Sequence, residues 1–292
     1  MKQIKLQDSI VTPIKFHNYN ILIKRDDLLN FNFTGNKARK FQYFLENNFP
    51  DITTVISYGS NQSNAMYSLS VLAKLKKWQF IYYVHHIPTF LKNNPSGNYK
   101  YALENGMIIK EGNPPKTLQS NQLFINEGGA IHEASYGIKN LAIELKNYIT
   151  TNNLKNIKIF LPSGTGTTAL YLQKYLDNIE ILTTPCVGDK IYLQQQFTTL
   201  EPNLHQYPTI LTPPKKFHFG KLYKENYQIW LDIKQQTNIE FDLLYDPIGW
   251  QTLLYHQNKI NLNNIIYIHQ GGIIGNETMI ERYHRKLSIS SD

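Results

Sequence analysis

A lysine between a glycine turn and a predicted helix start is the residue of this sequence best suited to covalent chemistry. Lys37 lies in the segment TGNKARK (residues 34–40), which follows a short apolar strand predicted at residues 19–23. A lysine amine at such a strand–turn–helix corner can form a Schiff base with an aldehyde cofactor and can act as a base. Taken alone, the segment is also compatible with an ordinary solvated basic helix start.

A second strand–turn–helix segment contains side chains that can bind an anion. The sequence YGSNQSNA (residues 58–65) follows an apolar run and precedes a helix predicted at residues 65–77. Ser63 or Asn64 can cap that helix, and the free amides of its first turn favour an anion such as a substrate carboxylate. An ordinary helix cap without a ligand is the alternative interpretation.

A third segment has the composition of a phosphate-binding turn. In LPSGTGTTA (residues 161–169), Gly164 and Gly166 allow several backbone N–H groups to face one point, and three threonines add hydroxyl donors. The segment lacks the Gly-Lys-Ser/Thr ending of a nucleotide-binding P-loop, so a single phosphate monoester suits it better than a triphosphate. A polar turn without a ligand remains the alternative.

These motifs together resemble those of a known enzyme family. GNKARK, GSNQSN and SGTGTT occur in the order, and at about the separations, found in pyridoxal-phosphate enzymes related to tryptophan synthase β. The branch most similar is that of 1-aminocyclopropane-1-carboxylate (ACC) deaminase and D-cysteine desulfhydrase. FINEGGA (residues 124–130) resembles its PxGG loop, and YIHQGG (residues 267–272) resembles its closing HTGG turn. The resemblance extends from about Pro13 to about Asn276.

The resemblance implies an α/β fold of two domains, fold type II of the pyridoxal-phosphate enzymes. The large cofactor-binding domain would comprise residues 1–41 and 146–292, and the small domain residues 42–145. Each would be an open, mostly parallel sheet with helices on both faces. The chain's alternation of short apolar runs and helical stretches independently favours such sheets, with strands predicted at places such as 157–161, 241–245 and 265–268.

The resemblance also implies roles for individual residues around pyridoxal 5'-phosphate. Lys37 would carry the cofactor and take the substrate's Cα proton, and Ser63 would bind the substrate carboxylate. Gln270 would face the ring nitrogen, where a neutral amide weakens the electron sink but is compatible with β-elimination. The further cofactor contacts would come from Lys40, Asn64, Gly164, Thr165, Gly166, Thr167 and Thr168, and the further substrate contacts from Asn64 and Gln62.

Two positions depart from the family pattern and leave the reaction open. The family's tyrosines correspond here to Gly249 and Phe219, with Tyr223, His218 or Trp250 as candidate replacements. We expect a lyase acting on a small amino acid, most simply a D-cysteine desulfhydrase-like β-elimination giving pyruvate, ammonia and sulfide. The alternatives are another fold-type II enzyme (ACC deaminase, serine or threonine ammonia-lyase, O-acetylserine-type synthase or racemase) and a catalytically inactive cofactor-binding protein.

Composition restricts the binding partners and the cellular location that we expect for the protein. The 292 residues include 41% hydrophobic residues, and the formal charge is +8, but the lysines are dispersed and predict no nucleic-acid partner. The single cysteine, Cys186, excludes a disulfide framework, and no run approaches the about 20 apolar residues of a membrane helix. We therefore expect a cytoplasmic enzyme without a membrane partner or a metal, and the resemblance implies a homodimer.

Overall fold

The protein contains two open β-sheets flanked by helices. The structure, a computed structural model, describes residues 4, 6–30 and 32–287. In chain order its elements are β1 (Val11–Phe16), β2 (Tyr19–Arg25), α1 (Gly35–Glu46), β3 (Thr54–Tyr58), α2 (Asn64–Lys76), β4 (Gln79–Val84), α3 (Thr89–Asn93), α4 (Gly97–Glu104), β5 (Met107–Glu111), β6 (Gln122–Ile125), α5 (Ala134–Thr151), β7 (Lys158–Ser163), α6 (Thr167–Tyr175), β8 (Ile181–Pro185), α7 (Lys190–Leu200), β9 (Thr209–Ile210), α8 (Lys224–Thr237), α9 (Asp246–Tyr255), β10 (Ile265–His269) and α10 (Asn276–Leu287).

The sheets are parallel except at one edge. The larger has the strand order β1-β2-β10-β7-β8-β9, with β1 and β2 forming an antiparallel hairpin, and the smaller has the order β5-β4-β3-β6. Strands β7, β8 and β10 are buried along nearly their whole length because helices cover both faces of a parallel sheet. The expected α/β class is thus confirmed. The strands of the smaller sheet all fall within residues 54–125, and the exact domain boundaries stay a prediction.

A buried ion-pair network fixes helix α1 against the large sheet and against α5. The Arg39 guanidinium lies 2.8 Å from an Asp26 carboxylate oxygen and 2.6 Å from a Glu144 oxygen. Lys24 on β2 donates to the other Glu144 oxygen at 2.6 Å. Two carboxylates therefore balance two cations, which a buried network needs because an unpaired charge costs several kcal/mol. The network sets the rotation of α1 about its own axis.

One predicted strand is wrong. Residues 241–245 form a buried turn that leads into α9. The Asp242 carboxylate accepts hydrogen bonds from the backbone N–H groups of Leu244 and Tyr245, at 2.8 and 2.7 Å. These bonds occupy the amides that a sheet ladder would need.

Among the described residues, no helix combines the length and the apolar character required to cross a membrane.

Candidate active site

A cavity of about 660 Å³ lies where the carboxyl ends of strands from both sheets meet. The loops after β2, β3, β7 and β10 form its wall, which is the usual ligand position in open parallel sheets. All of the site residues predicted from the sequence line it: Lys37, Lys40, Gln62, Ser63, Asn64, Gly164, Thr165, Gly166, Thr167, Thr168 and Gln270. The structure thus brings together segments that are far apart in the chain.

Two lysine amines on α1, half-buried Lys37 and buried Lys40, share a single uncharged partner. Lys37 Nζ and Lys40 Nζ donate to the carbonyl oxygen of Gly128, at 3.2 and 2.9 Å. Within the described part of the chain, neither amine forms an ion pair with a carboxylate. Burial lowers the pKa of Lys37 to about 8. Burial and the neighbouring Lys37 lower the pKa of Lys40 well below its ordinary value. An anion beside the pair would favour its protonated form, and the lowered pKa leaves part of Lys37 as a free amine, the nucleophilic form.

The loop between β7 and α6 offers unused hydrogen-bond donors to the same cavity. Gly166 adopts a left-handed φ of 71° immediately before the first turn of α6. Thr165 and Thr167 hydroxyls lie 3.0 Å apart, and the buried Thr168 hydroxyl has no partner within the described residues. A phosphate monoester would accept from this hydroxyl and from the free amides of the helix start. The residues therefore fit a phosphate monoester such as pyridoxal 5'-phosphate, and the Lys37 amine lines the same cavity.

The turn after β3 supplies a capped helix start and two amide side chains. Ser63 Oγ caps α2 by accepting from the N–H groups of Ala65 and Met66, at 3.1 and 3.4 Å. Asn64 donates to Asp242 at 3.3 Å, so it connects the smaller sheet with the 241–245 turn. The amide of Gln62 has partners within the protein, since its Nε2 donates to Ser96 O at 3.1 Å.

The Gln270 side chain links helix α1 to strand β7 beneath the cavity. Its Oε1 accepts from Asn36 Nδ2 at 2.8 Å, and its Nε2 donates to Pro162 O at 2.6 Å. The side chain is uncharged and held at both ends. The surroundings thus supply no carboxylate at Gln270 itself that would protonate a ring nitrogen placed there.

Sequence reasoning missed two functional candidates in the 241–245 turn. Asp242 lines the cavity, and burial raises the pKa of its carboxyl to about 6. Hydrogen bonds from the backbone and from Asn64 lower this pKa, but burial has the larger effect. Tyr245 also lines the cavity, and its ring lies against the β7–α6 loop, 3.4 Å from where a Cβ on Gly164 would stand. Burial, followed by the Asp242 carboxylate, raises the pKa of the Tyr245 phenol, so the phenol stays protonated.

The candidate replacements for the family tyrosines, Tyr223, His218 and Trp250, do not line the cavity. Trp250 is buried in the core, stacked on Tyr267 with ring centroids 4.3 Å apart, and it does not line the cavity. Gly249 has no room for a tyrosine, because even a Cβ would lie 2.7 Å from the Tyr267 hydroxyl. Phe219 does line the cavity, with its ring 5.3 Å from that of Tyr245. Tyr245 is therefore a phenol that lines the cavity beside Phe219.

Comparison with known proteins gives the same picture. No protein-family model matches the chain. A curated protein of Thermotoga maritima named "Putative 1-aminocyclopropane-1-carboxylate deaminase" is 22% identical, and the match covers 90% of this chain and 94% of that protein. The resemblance inferred from the motifs is thus confirmed at the level of sequence similarity.

Solved structures show the fold. A crystal structure of an ACC deaminase homologue has a TM-score of 0.77 at 20% identity, covering 97% of this chain and 94% of that one. A threonine deaminase of T.th. has a TM-score of 0.66 at 12% identity, covering 90% and 92%. A hydrogen sulfide-producing enzyme from Fusobacterium nucleatum has a TM-score of 0.61 at 10% identity, covering 92% and 97%. The chain has the two-sheet fold of fold-type II pyridoxal-phosphate enzymes.

Proposed function

We propose that this protein is a pyridoxal-phosphate-dependent lyase that acts on a small amino acid, with D-cysteine as the leading substrate. The observation that carries the proposal is the pair of neighbouring lysine amines on α1. Lys37 and Lys40 share one carbonyl partner and face a loop in which the Thr168 hydroxyl is unpartnered among the described residues. A monophosphate with an aldehyde satisfies all three groups at once.

The bound cofactor would supply an electron sink for the charge that develops at the substrate's Cα. Lys37 Nζ would take the Cα proton, and its pKa of about 8 suits that role near neutral pH. Lys40 and Thr168 would hold the phosphate. The start of α2 and Ser63 would bind the substrate carboxylate.

The sequence resemblance and the comparisons support the choice of reaction. A hydrogen sulfide-producing enzyme and an ACC deaminase homologue share the fold. Opening a cyclopropane ring needs a group that attacks or protonates a ring carbon, and the family position for one tyrosine is here the tightly packed Gly249. β-Elimination makes no such demand, because the leaving group carries away the electron pair. We therefore favour elimination from D-cysteine to pyruvate, ammonia and sulfide.

The covalent role of Lys37 can be tested directly. Borohydride reduction of the cofactor-loaded protein should attach the cofactor to the peptide containing Lys37, as read by mass spectrometry. Lys37→Ala should lose both the visible absorption band and turnover, because the attachment point and the base are removed together. Lys139→Ala, on the exposed face of α5, is the matched control and should keep both. A label on Lys40 or on another lysine would refute the assignment.

The reaction can be tested by a substrate screen. D- and L-amino acids are incubated with the loaded enzyme, and pyruvate, ammonia and sulfide are measured. D-cysteine and β-chloro-D-alanine should give pyruvate, and the ACC ring should not open. Faster turnover of L-serine or L-cysteine than of D-cysteine would contradict the stereochemical part of the proposal. A visible band that no amino acid perturbs would contradict the enzymatic part.

A further inference from the structure

The last helix contributes two arginines to the wall of the cavity. Arg282 and Arg285 lie one turn apart on α10, and both line the cavity. This wall adjoins the substrate side, because Thr278 on α10 lies 3.0 Å, hydroxyl to hydroxyl, from Ser96. Ser96 in turn accepts a hydrogen bond from Gln62, the residue before Ser63. The arginines therefore lie on the same helix as the contact to this segment, and they share one cavity with Ser63.

Neither arginine has its charge balanced by a carboxylate of the described residues. The guanidinium of half-buried Arg282 donates to Gly220 O at 2.7 Å and contacts Met279 Sδ at 3.2 Å, both of which are uncharged. The guanidinium of Arg285 lies 4.7 Å from the ring centroid of Phe90. Glu281 also lines the cavity, yet within the described residues it forms no ion pair with either arginine. Several guanidinium N–H groups thus remain available.

Burial lowers the pKa of Arg282, and Arg285 lowers it further, whereas nearby Tyr283 opposes the change. Two like charges one turn apart on a helix repel each other unless an anion lies between them. Arginine is the side chain that best matches an oxyanion of phosphate, sulfate or carboxylate type, since its planar fork donates two parallel hydrogen bonds. Cysteine, in its neutral thiol form, offers no such group.

We propose that Arg282 and Arg285 bind a second oxyanion carried on the substrate's side chain, so that the site accepts, besides D-cysteine, amino acids whose leaving group is an oxyanionic ester such as phosphate or sulfate. The inference rests on the proposed lyase function and names its substrate class. In the elimination, Lys37 takes the Cα proton and the Cβ–O bond breaks. The electron pair of that bond stays on the oxygen, which leaves as free phosphate or sulfate. The released enamine tautomerises and reacts with one water to give pyruvate and ammonia.

The test compares substrates whose side chain carries an oxyanion with one whose side chain carries none. Pyruvate release from β-chloroalanine is measured beside that from serine O-sulfate and O-phosphoserine, each as both enantiomers. In Arg282→Gln and Arg285→Gln we expect KM for the two esters to rise by at least about tenfold, the effect of losing one charge-assisted hydrogen bond. KM for β-chloroalanine should change less than about twofold. Lys286→Gln, an exposed charge change on the same helix, is the control and should leave every KM unchanged.

A binding measurement separates this inference from the proposed function. 2-Amino-3-phosphonopropionate keeps the second oxyanion but has no leaving group, and its affinity for the cofactor-loaded protein is measured by calorimetry. Weaker binding in Arg282→Gln than in Lys286→Gln supports the inference. Equal binding in the two variants overturns it, even when β-chloroalanine is turned over. Failure to turn over any of the substrates counts against the proposed function, and calorimetry still decides the role of the arginines.

Discussion

Basic residues on one helix differ sharply in how their charge is balanced. Arg39 contacts two carboxylates, whereas Lys37 and Lys40 share a carbonyl oxygen. A buried charge without an opposite partner is destabilising unless a ligand supplies it. The two lysines therefore mark the part of the cavity where we propose that an anion binds, and Arg39 belongs to the structural ion-pair network of the helix.

The Asp242 carboxyl should make stability depend on pH. Burial raises its pKa to about 6 from an ordinary 3.8, so between these values the folded state binds a proton that the unfolded chain has released. Stability contributed by this group is therefore lost as the pH rises through this range. Relative to the parent, we expect the unfolding free energy of cofactor-free Asp242→Asn to increase by about 3 kcal/mol between about pH 3 and about pH 7. Urea unfolding measures it, and a pH-independent difference would contradict the prediction.

Replacing Ser63 should affect both the stability of the protein and the binding of substrate, and the two effects can be measured separately. The Ser63 hydroxyl caps α2, and in our proposal it also binds the substrate carboxylate. Ser63→Ala should therefore lower the unfolding free energy by about 1 kcal/mol and raise KM by about tenfold. Ser63→Thr retains the hydroxyl and should recover most of both. If KM were unchanged while stability fell, Ser63 would be only a helix cap.

At the scale of elements, the site depends on how closely helices approach the loops. Gly166 lies under α7, where a Cβ would stand 2.4 Å from Phe197 Cε1 and 2.6 Å from Leu193 Cδ1. Gly166→Val should destabilise the protein by about 2 kcal/mol or more and sharply weaken cofactor retention in gel filtration. Gly106 also has a positive φ, of 93°, but no atom within 4 Å of its Cβ position. Gly106→Val is therefore the matched control, and equal cofactor retention in both variants would refute the proposed cradle.

The three turns that follow β2, β3 and β7 could be predicted from the sequence because their signals are local. Glycine and hydroxyl residues directly after an apolar run suffice to indicate a strand, a turn and a helix start. The 241–245 turn could not be found in this way. Its apolar residues have the composition of a buried strand, and only the hydrogen bonds of Asp242 reveal a turn. An aspartate within the run was the one available signal.

Arg282 illustrates a second limit of sequence reasoning. Helix α10 carries charged residues at many positions, the pattern of an ordinary surface helix. Its place in the cavity wall follows from long-range contacts, such as that between Thr278 and Ser96, which are 182 residues apart. No local pattern encodes such a contact. The same holds for Tyr245, whose position against Gly164 depends on the packing of α9 below the large sheet.

At the scale of the molecule, the cavity joins the two sheets, so a ligand that fills it should stabilise the whole chain. A ligand that binds only the folded state raises stability with its concentration. Pyridoxal phosphate should therefore raise the thermal unfolding midpoint, and inorganic phosphate should raise it less because it lacks the link to Lys37. In Lys37→Ala the two ligands should become nearly equivalent. An unchanged midpoint with pyridoxal phosphate would contradict the proposed cofactor.

The homodimer stays a prediction that sedimentation velocity tests.

The contact between Asn36 and Gln270 has a consequence for the order in which the protein is made. The two residues are 234 positions apart, and the backbone N–H of Asn36 also donates to Gln270 O. Strand β10, which lies between β2 and β7, is the last strand of the described chain to be synthesised. Lys37 leaves the ribosome early, yet its surroundings are incomplete until the closing segment has emerged and paired. In our proposal, cofactor loading is therefore a step that follows the synthesis of β10.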